Sequence, residues 1–397
     1  VSASVTTQHA NASGVIDLAR GDPHPEFLPL ERVRAAAALV TAGADPAVLQ
    51  YGYEPGDLGV REQLAALLGR YGGAAPSPDA LFVTAGASMA LDLACALYAE
   101  PGARVLVANP TYHLALAVLA DRGLQVEAVA SDADGIDPDA LEAALQRGPA
   151  AFVYLVPAHG NPTGVSLPPE RRDAVLALAR RYGVRIVADE VYRLTAFGAG
   201  DADPSAARIV AGLADVAPDV ALSLGSFSKL LSPGLRLGWL QGPPDDLARL
   251  ARRGLLRSGG GLNPFTAALV RQLLADGGFD AHLAFVRARL RARHDTLLAA
   301  VRRQLGAARV RPATGGYFLW LDLERVDVTA PTFTAALEQA QVRVAQGAQF
   351  VPVGAELGAA RSCLRLCFAS AAEADLPVGI ARLTDSVRRV DSVYSLP

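Results

Sequence analysis

Of the 37 basic side chains in the sequence, one is a lysine, Lys229, and all the others are arginines. Arginine serves solubility and ion pairing as well as lysine does, but its guanidinium keeps its proton and cannot condense with an aldehyde. Codon bias with one leftover lysine would give the same count, and the neighbours of Lys229 argue against it. The segment GSFSKLLSPGLRLGW (225–239) sets Ser226, Ser228 and Arg236 close to the amine. Two hydroxyl donors and a guanidinium fork suit a phosphate group. A primary amine beside a phosphate-binding set is what an aldehyde cofactor carrying a phosphate requires.

Three further stretches fit that chemistry. TAGASMALDL (84–93) reads as a strand, a glycine turn and a helix start, so the N–H groups of Ala87 and Ser88 would face an anion with the helix dipole behind them. Taken alone, many such turns are only turns. In VADEVY (187–192), Asp189 ends an apolar strand, an expensive place for a carboxylate without a cation. A protonated pyridine nitrogen would be such a cation, and the pair would keep the ring electron-withdrawing. Tyr192, three residues on, could donate to a ring phenolate oxygen. NPTG (161–164) follows the strand AFVYLVP and is either a proline-glycine turn or a device that sets the Asn161 amide on the same oxygen.

The elements that must position these residues follow from periodicity. Apolar strands are expected at 81–84, 103–110, 126–130, 151–157, 184–190, 220–226 and 235–240, with amphipathic helices near 88–100 and 169–182. Such alternation means a mostly parallel sheet covered by helices on both faces, with ligands beyond the carboxyl ends of the strands. After about residue 285 the texture changes to a long arginine-studded helix. Strands at 315–323, 342–347 and 363–369 follow, then a helix over 371–390. The expected organisation is an α/β large domain over 46–285 and a small α+β domain over 286–397, the latter joined by an N-terminal arm, 1–45.

Bulk composition sets limits. With 397 residues, 51% apolar and 19% charged, the chain is globular in character, and no apolar run is long enough to cross a bilayer. The start, VSASVTTQHANASG, lacks a basic end and an apolar stretch, so no signal peptide and a cytoplasmic location are expected. A net charge of −3 gives no electrostatic reason for a nucleic acid or membrane partner. Cys95, Cys363 and Cys367 match no metal spacing and read as buried, inert thiols. No metal is expected.

Together these motifs resemble the class I/II aminotransferases of pyridoxal-5′-phosphate (PLP) fold type I, from about Ile16 to Leu383. The order is that family's: a tyrosine-glycine element (YGYEPGDLGVREQL, 51–64), the phosphate turn, the aromatic of NPTYH, NPTG, D-E-V-Y, S-x-S-K, the phosphate arginine and a late L-R-L. The resemblance implies PLP held by Lys229 as a Schiff base, with Lys229 also shuttling the substrate proton. It implies Asp189 as the pyridinium partner, Asn161 and Tyr192 on the phenolate, and Tyr112 stacked on the ring. Ala87, Ser88, Ser226 and Arg236 would hold the phosphate, with Ser228 as a further candidate. Tyr51 would reach the phosphate of a neighbouring subunit, which implies a homodimer with shared active sites. Arg365 would take the substrate α-carboxylate, aided by Asn161 and the Gly21 N–H. The implied reaction moves the amino group of an α-amino acid to a 2-oxo acid.

Segments 18–29 (LARGDPHPEFLP) and 257–270 (RSGGGLNPFTAALV) resemble the branch of 2-aminoadipate-type aminotransferases, and a further relative is the MocR-type regulator. Such regulators carry a basic winged-helix module ahead of the aminotransferase-like part. Only about twenty residues precede LARGDP here, so a regulator is not expected. A penicillin-binding S-x-x-K enzyme would need a later K-T-G, which a chain with one lysine lacks; a Walker A loop fails at Leu230, and no H-E-x-x-H occurs. The remaining alternative shares the fold: a PLP-dependent lyase, replacement or cyclising enzyme resembling aminocyclopropane-carboxylate synthase would keep the same residues. His159 is a substrate ligand, a proton relay or a loop histidine, His24 faces the substrate or is structural, and His113 beside Tyr112 reads as packing; by the resemblance Ser258 and Asn263 would reach into a partner subunit's site.

Overall fold

The computed structural model describes residues 14–43, 46–72, 74–198, 211–260, 262–306 and 309–394, with side chains described through 390. Residues 1–13, on which the signal-peptide expectation rests, lie outside the described residues. The strands in chain order are β1 (Ile16–Asp17), β2 (Leu81–Thr84), β3 (Arg104–Asn109), β4 (Gln125–Asp132), β5 (Gly135–Ile136), β6 (Phe152–Leu155) and β7 (Arg185–Asp189). They continue as β8 (Ala221–Ser226), β9 (Gly238–Gln241), β10 (Phe318–Asp322), β11 (Val342–Arg343), β12 (Ala345–Gln346) and β13 (Cys363–Cys367).

Eight strands form one sheet in the order β2-β9-β8-β7-β6-β3-β4-β5. Its centre, β8 to β4, pairs in parallel, while β9 and β5 run antiparallel to their neighbours. Period-two alternation sends consecutive side chains to opposite faces, and both faces are buried. Val105, Val107, Phe152, Tyr154 and Val187 join Leu91 and Ala94 of helix Ala87–Tyr98 on one side. Leu106, Val153, Leu155, Ile186 and Ala188 meet Leu141, Leu145, Val175 and Leu176 on the other. The expected α/β architecture is therefore present, and every polar residue singled out on this sheet sits at or past a strand's carboxyl end.

A three-stranded antiparallel sheet, β10-β13-β12, puts Arg365 opposite both Trp320 and Ala345. Helices Gly278–Leu305 and Asp375–Tyr394 pack against this sheet, sharing a core with Phe333, Leu364 and Leu366. The arm enters the same core: β1 pairs with β11, and Leu18 and Phe27 are buried there. Among the described residues, no helix is long and apolar enough to cross a membrane, and no group of three or more His, Cys, Asp or Glu is poised for a metal. All three cysteines are buried and unpaired.

Some expected boundaries move for local reasons. The strand expected from 235 begins at Gly238, because a 3₁₀ turn (Pro233–Leu235) ends with Arg236 in the left-handed region at φ 48°. The strand expected over 315–323 begins at Phe318, after a turn with Gly316 at φ 73°. The expected strand 342–347 divides at Val344, one piece pairing with the arm and the other with β13. The last helix starts at Asp375 rather than near 371, and Glu373 ahead of it is held by Arg289.

Candidate active site

The residues expected to hold a phosphate gather at the turn after β2. Gly86 sits at φ 89° and opens helix Ala87–Tyr98 with no side-chain cap, so the helix presents its first N–H groups, which have no partner within a helix, at Ala87 and Ser88. The turn reaches β9 because position 238 is glycine: a Cβ there would stand 2.9 Å from Gly86 Cα. A Cβ on Gly86 would in turn stand 2.6 Å from Arg236 Nη2. Arg236 is aimed by its left-handed backbone and donates from Nη2 to Ala85 O (3.0 Å). Ser226, the last residue of β8, donates to Ser228 Oγ at 2.9 Å. Two backbone donors and a guanidinium thus meet at Gly86, and Gly238, which packs on that turn, pairs with Ser226, whose hydroxyl bonds that of Ser228.

Beside this cradle, Asp189 ends β7. Its carboxylate accepts from the Tyr154 hydroxyl at 2.9 Å and weakly from Val191 N at 3.4 Å. Burial pushes it up to about 6 from an ordinary 3.8, against the pull of those hydrogen bonds and of Lys229. A raised acid is protonated at no cost below about pH 4, and the folded chain bears the burial penalty in full only above about pH 6. Without cofactor the protein is therefore expected to lose about 3 kcal/mol of stability across that window, from the pKa difference alone. Asp189→Asn should flatten this part of the profile. Denaturant midpoints at pH 4 and pH 7.5 check it, and an unchanged slope in the variant refutes it.

Lys229 follows β8, and its Nζ donates to Gly21 O of the arm at 2.7 Å. Nζ stands 5.3 Å from the centre of the Tyr317 ring and 5.9 Å from that of Tyr192. Tyr317 also donates its hydroxyl to Lys229 O (3.2 Å), fixing the lysine's own backbone. Burial lowers the proton affinity of the amine, and Asp22 opposes that most strongly among the charged groups. Tyr192 is buried, and burial holds its phenol protonated.

Arg365, on the central strand of the smaller sheet, is buried between two aromatic faces. Its guanidinium carbon lies 4.1 Å from the Phe318 ring centre and 4.8 Å from that of Phe350. Nη1 donates to Asn161 Oδ1 (2.8 Å) and Nη2 to Ala19 O (2.5 Å), while Nε has no hydrogen-bond partner among the described residues. Tyr112 opens helix His113–Asp121, and burial pushes its phenol up to about 12. The structure thus brings Lys229, Asp189, Tyr192, Tyr112, Asn161, Arg365 and Gly21 to one region beside the turn at Gly86.

Other singled-out residues have local jobs or stand apart. His113 packs edge-on against Phe350, and burial lowers it to about 4. His159 is fully buried at φ 49°, with Nδ1 3.2 Å from Ser166 Oγ, its ring against Gly315 and its Cβ and backbone against Gly316. His24 is half-buried and accepts from Glu26 N through Nδ1. Asn263 caps helix Pro264–Ala275, accepting from Thr266 N, and Ser258 is exposed. Tyr51 is 82% exposed, near Tyr53 and Leu49 on the surface. Sequence reasoning missed Tyr154, Phe318, Phe350, Tyr317 and the pair Arg20–Asp22. An aromatic within an apolar strand gave no signal, but two opposite charges flanking the glycine of the arm did.

Comparison with known proteins places this geometry. The aminotransferase class I and II family profile matches residues 13–383. The 2-aminoadipate transaminase of Thermus thermophilus is 31% identical over 375 residues, covering 93% of this chain and 89% of the relative. The HTH-type transcriptional regulator YdcR of Escherichia coli is 32% identical over 347 residues, covering 86% and 71%. Among solved structures, the α-aminoadipate aminotransferase LysN of Thermus thermophilus, complexed with N-(5′-phosphopyridoxyl)-L-leucine, aligns at a TM-score of 0.82 with 29% identity, covering 96% and 94%. The kynurenine aminotransferase of Pyrococcus horikoshii aligns at 0.84 with 26% identity, covering 95% and 91%. The donor set suits the cofactor of that family: Asp189 is a buried acid whose hydrogen-bond donors are neutral, Gly86 leaves open a cradle that a Cβ would fill, and Lys229 is the amine. The chain belongs to the class I and II aminotransferases, fold type I enzymes that use pyridoxal phosphate to move an amino group between an α-amino acid and a 2-oxo acid.

Proposed function

We propose that Lys229 bears the cofactor and acts as the base of transamination, with Arg365 and Asn161 orienting the substrate. The observation that carries this is the convergence of the chain's one lysine, a buried acid and a buried, carboxylate-ready arginine in one region. Bound pyridoxal phosphate supplies an aldehyde for the substrate amine and an electron-withdrawing ring for the bond broken at Cα. Asp189 pairs with the ring nitrogen, so its burial then costs little. Tyr192 and Asn161 donate to the phenolate oxygen, and Tyr112 stacks on the ring. The N–H groups of Ala87 and Ser88, with Ser226, Ser228 and Arg236, hold the phosphate. Lys229, its proton affinity lowered by burial, takes the Cα proton at Nζ and returns it on the other side of the transfer. Arg365 forks onto the α-carboxylate, assisted by the Gly21 N–H, and so fixes which bond at Cα faces Lys229.

The domain division at 45 and 285 belongs to the same proposal: the phosphate and ring contacts come from the larger unit, the carboxylate contacts from the smaller one and the arm. A homodimer with shared sites is also proposed, supported by exposed Leu49, Tyr51 and Tyr53. Small molecules rather than nucleic acid are the proposed partners, in the cytoplasm, consistent with a net charge of −3.

The test mixes PLP-loaded protein with single amino acids in the absence of any oxo acid. One equivalent of oxo acid per site, with pyridoxamine phosphate left behind, supports the reading and names the donor. Release of ammonia or a side-chain leaving group, with the starting spectrum restored, overturns it. Gly86→Ala should raise the dissociation constant for pyridoxal phosphate about tenfold or more, through its positive φ and the contact with Arg236. Spectroscopic titration of the cofactor-free protein measures this, and unchanged affinity would remove Gly86 from the phosphate site.

A further inference from the structure

The arm crosses the site on a tightly held backbone. Asp17 Oδ1 accepts from Ala19 N (2.9 Å) and Arg20 N (3.1 Å). Leu18 donates to Arg343 O (2.8 Å) and accepts from Cys367 N (2.8 Å), and His24 N donates to Ala369 O (2.8 Å). Beyond His24, Glu26 is bound by both Arg289 and Arg293. Between these anchors the arm meets the catalytic region through Ala19 O, which takes Arg365, and Gly21 O, which takes Lys229. Position 21 admits no larger residue without pressing the Phe318 ring, 3.0 Å from a Cβ.

Asp22 is the residue next to the carbonyl that holds the lysine. Its carboxylate takes Arg20 in a fork, from Nε at 3.1 Å and Nη2 at 2.7 Å, with 30% and 33% of the two side chains exposed. Neither charge serves the cofactor contacts proposed above. We propose that Asp22 is the electrostatic partner of Lys229: a carboxylate carried by the arm that favours the protonated lysine nitrogen, with a strength set by Arg20.

The other groups around the lysine nitrogen leave this role open. From β7, Asp189 is committed to the ring nitrogen in the proposed holoenzyme. From β13, Arg365 is a like charge that opposes protonation, and Cys367 is a thiol that burial keeps neutral near pH 7. Tyr192 and Tyr317 offer ring faces, attractive to a cation but uncharged. Asp22 heads the charges acting on Lys229, ahead of Asp189, and so offsets part of the desolvation that lowers the proton affinity of this nitrogen. The balance matters because Lys229 must be neutral to take the Cα proton and charged immediately afterwards. Asp22 is a positioning and tuning residue that acts through Lys229.

The inference rests on Lys229 bearing the cofactor, and the test separates the two. Wild-type, Asp22→Asn and Arg20→Gln proteins are loaded with pyridoxal phosphate, and the visible absorbance of the lysine-linked cofactor is followed against pH. Asp22→Asn should lower the midpoint by about one pH unit, a tenfold loss of proton affinity. Arg20→Gln, which releases the charge of Asp22 from its fork, should move the midpoint upward. Mere loosening of the arm would move both variants the same way and would overturn the proposal, as would a midpoint indifferent to Asp22→Asn. A wild-type protein with no borohydride-fixable cofactor at Lys229 would overturn both readings; a fixed cofactor with unmoved midpoints overturns this one alone.

Discussion

Lys229→Ala is expected to abolish the cofactor adduct that borohydride fixes and to lower turnover about 10⁴-fold or more, because it removes both the condensing amine and the base. The chain makes this test unusually clean. Lys229 is its one lysine, so no neighbouring side-chain amine can take over. Lys229→Arg should fail as completely: the guanidinium keeps the positive charge but does not yield its proton near neutrality. Neither variant should unfold the protein. The amine's own burial is unfavourable to its charge, and the lost hydrogen bond to Gly21 O is worth about 1 kcal/mol. Reduction with borohydride followed by peptide mass analysis decides the matter. An adduct that persists in Lys229→Ala would show that the cofactor is carried elsewhere.

What is legible in the sequence is what carries a physical cost. A carboxylate ending an apolar strand, as Asp189 does, is too expensive to be incidental, and a solitary lysine among arginines has to be explained by its amine. The layered sheet was legible for a related reason: strands buried on both faces must be continuously apolar. What stayed hidden is made by packing between distant elements. Gly21 and Lys229 are 208 residues apart in the chain, and Arg365 and Asn161 are 204 apart, so neither pairing leaves a local pattern. The division of 342–347 at Val344 depends on partners from the arm and from β13, not on the segment's own residues. Tyr154 read as one more apolar strand residue until its hydroxyl proved to be the donor to Asp189.

Arg365→Lys keeps the charge and should still lower kcat/KM for amino acids by about 10²–10³-fold, equivalent to about 3–4 kcal/mol for a damaged buried charge contact. The guanidinium does several things at once. It lies over the rings of Phe318 and Phe350, donates to Ala19 O and Asn161 Oδ1, and has an Nε with no partner among the described residues. An ammonium is a compact, strongly hydrated point charge that fills neither the aromatic slot nor a planar fork. It cannot satisfy the backbone of the arm, the Asn161 amide and a carboxylate together. Asn161 would lose the contact that orients it, so part of the loss should fall on kcat and part on KM. The sharper readout is discrimination between an amino acid and the corresponding amine without a carboxylate. Wild-type protein should favour the amino acid strongly, and Arg365→Lys should forfeit most of that preference, losing far less on the amine than on the amino acid. If the variant keeps the wild-type ratio, the α-carboxylate is held by something other than Arg365, and the orientation of the substrate over Lys229 would have to be assigned to other groups of the arm.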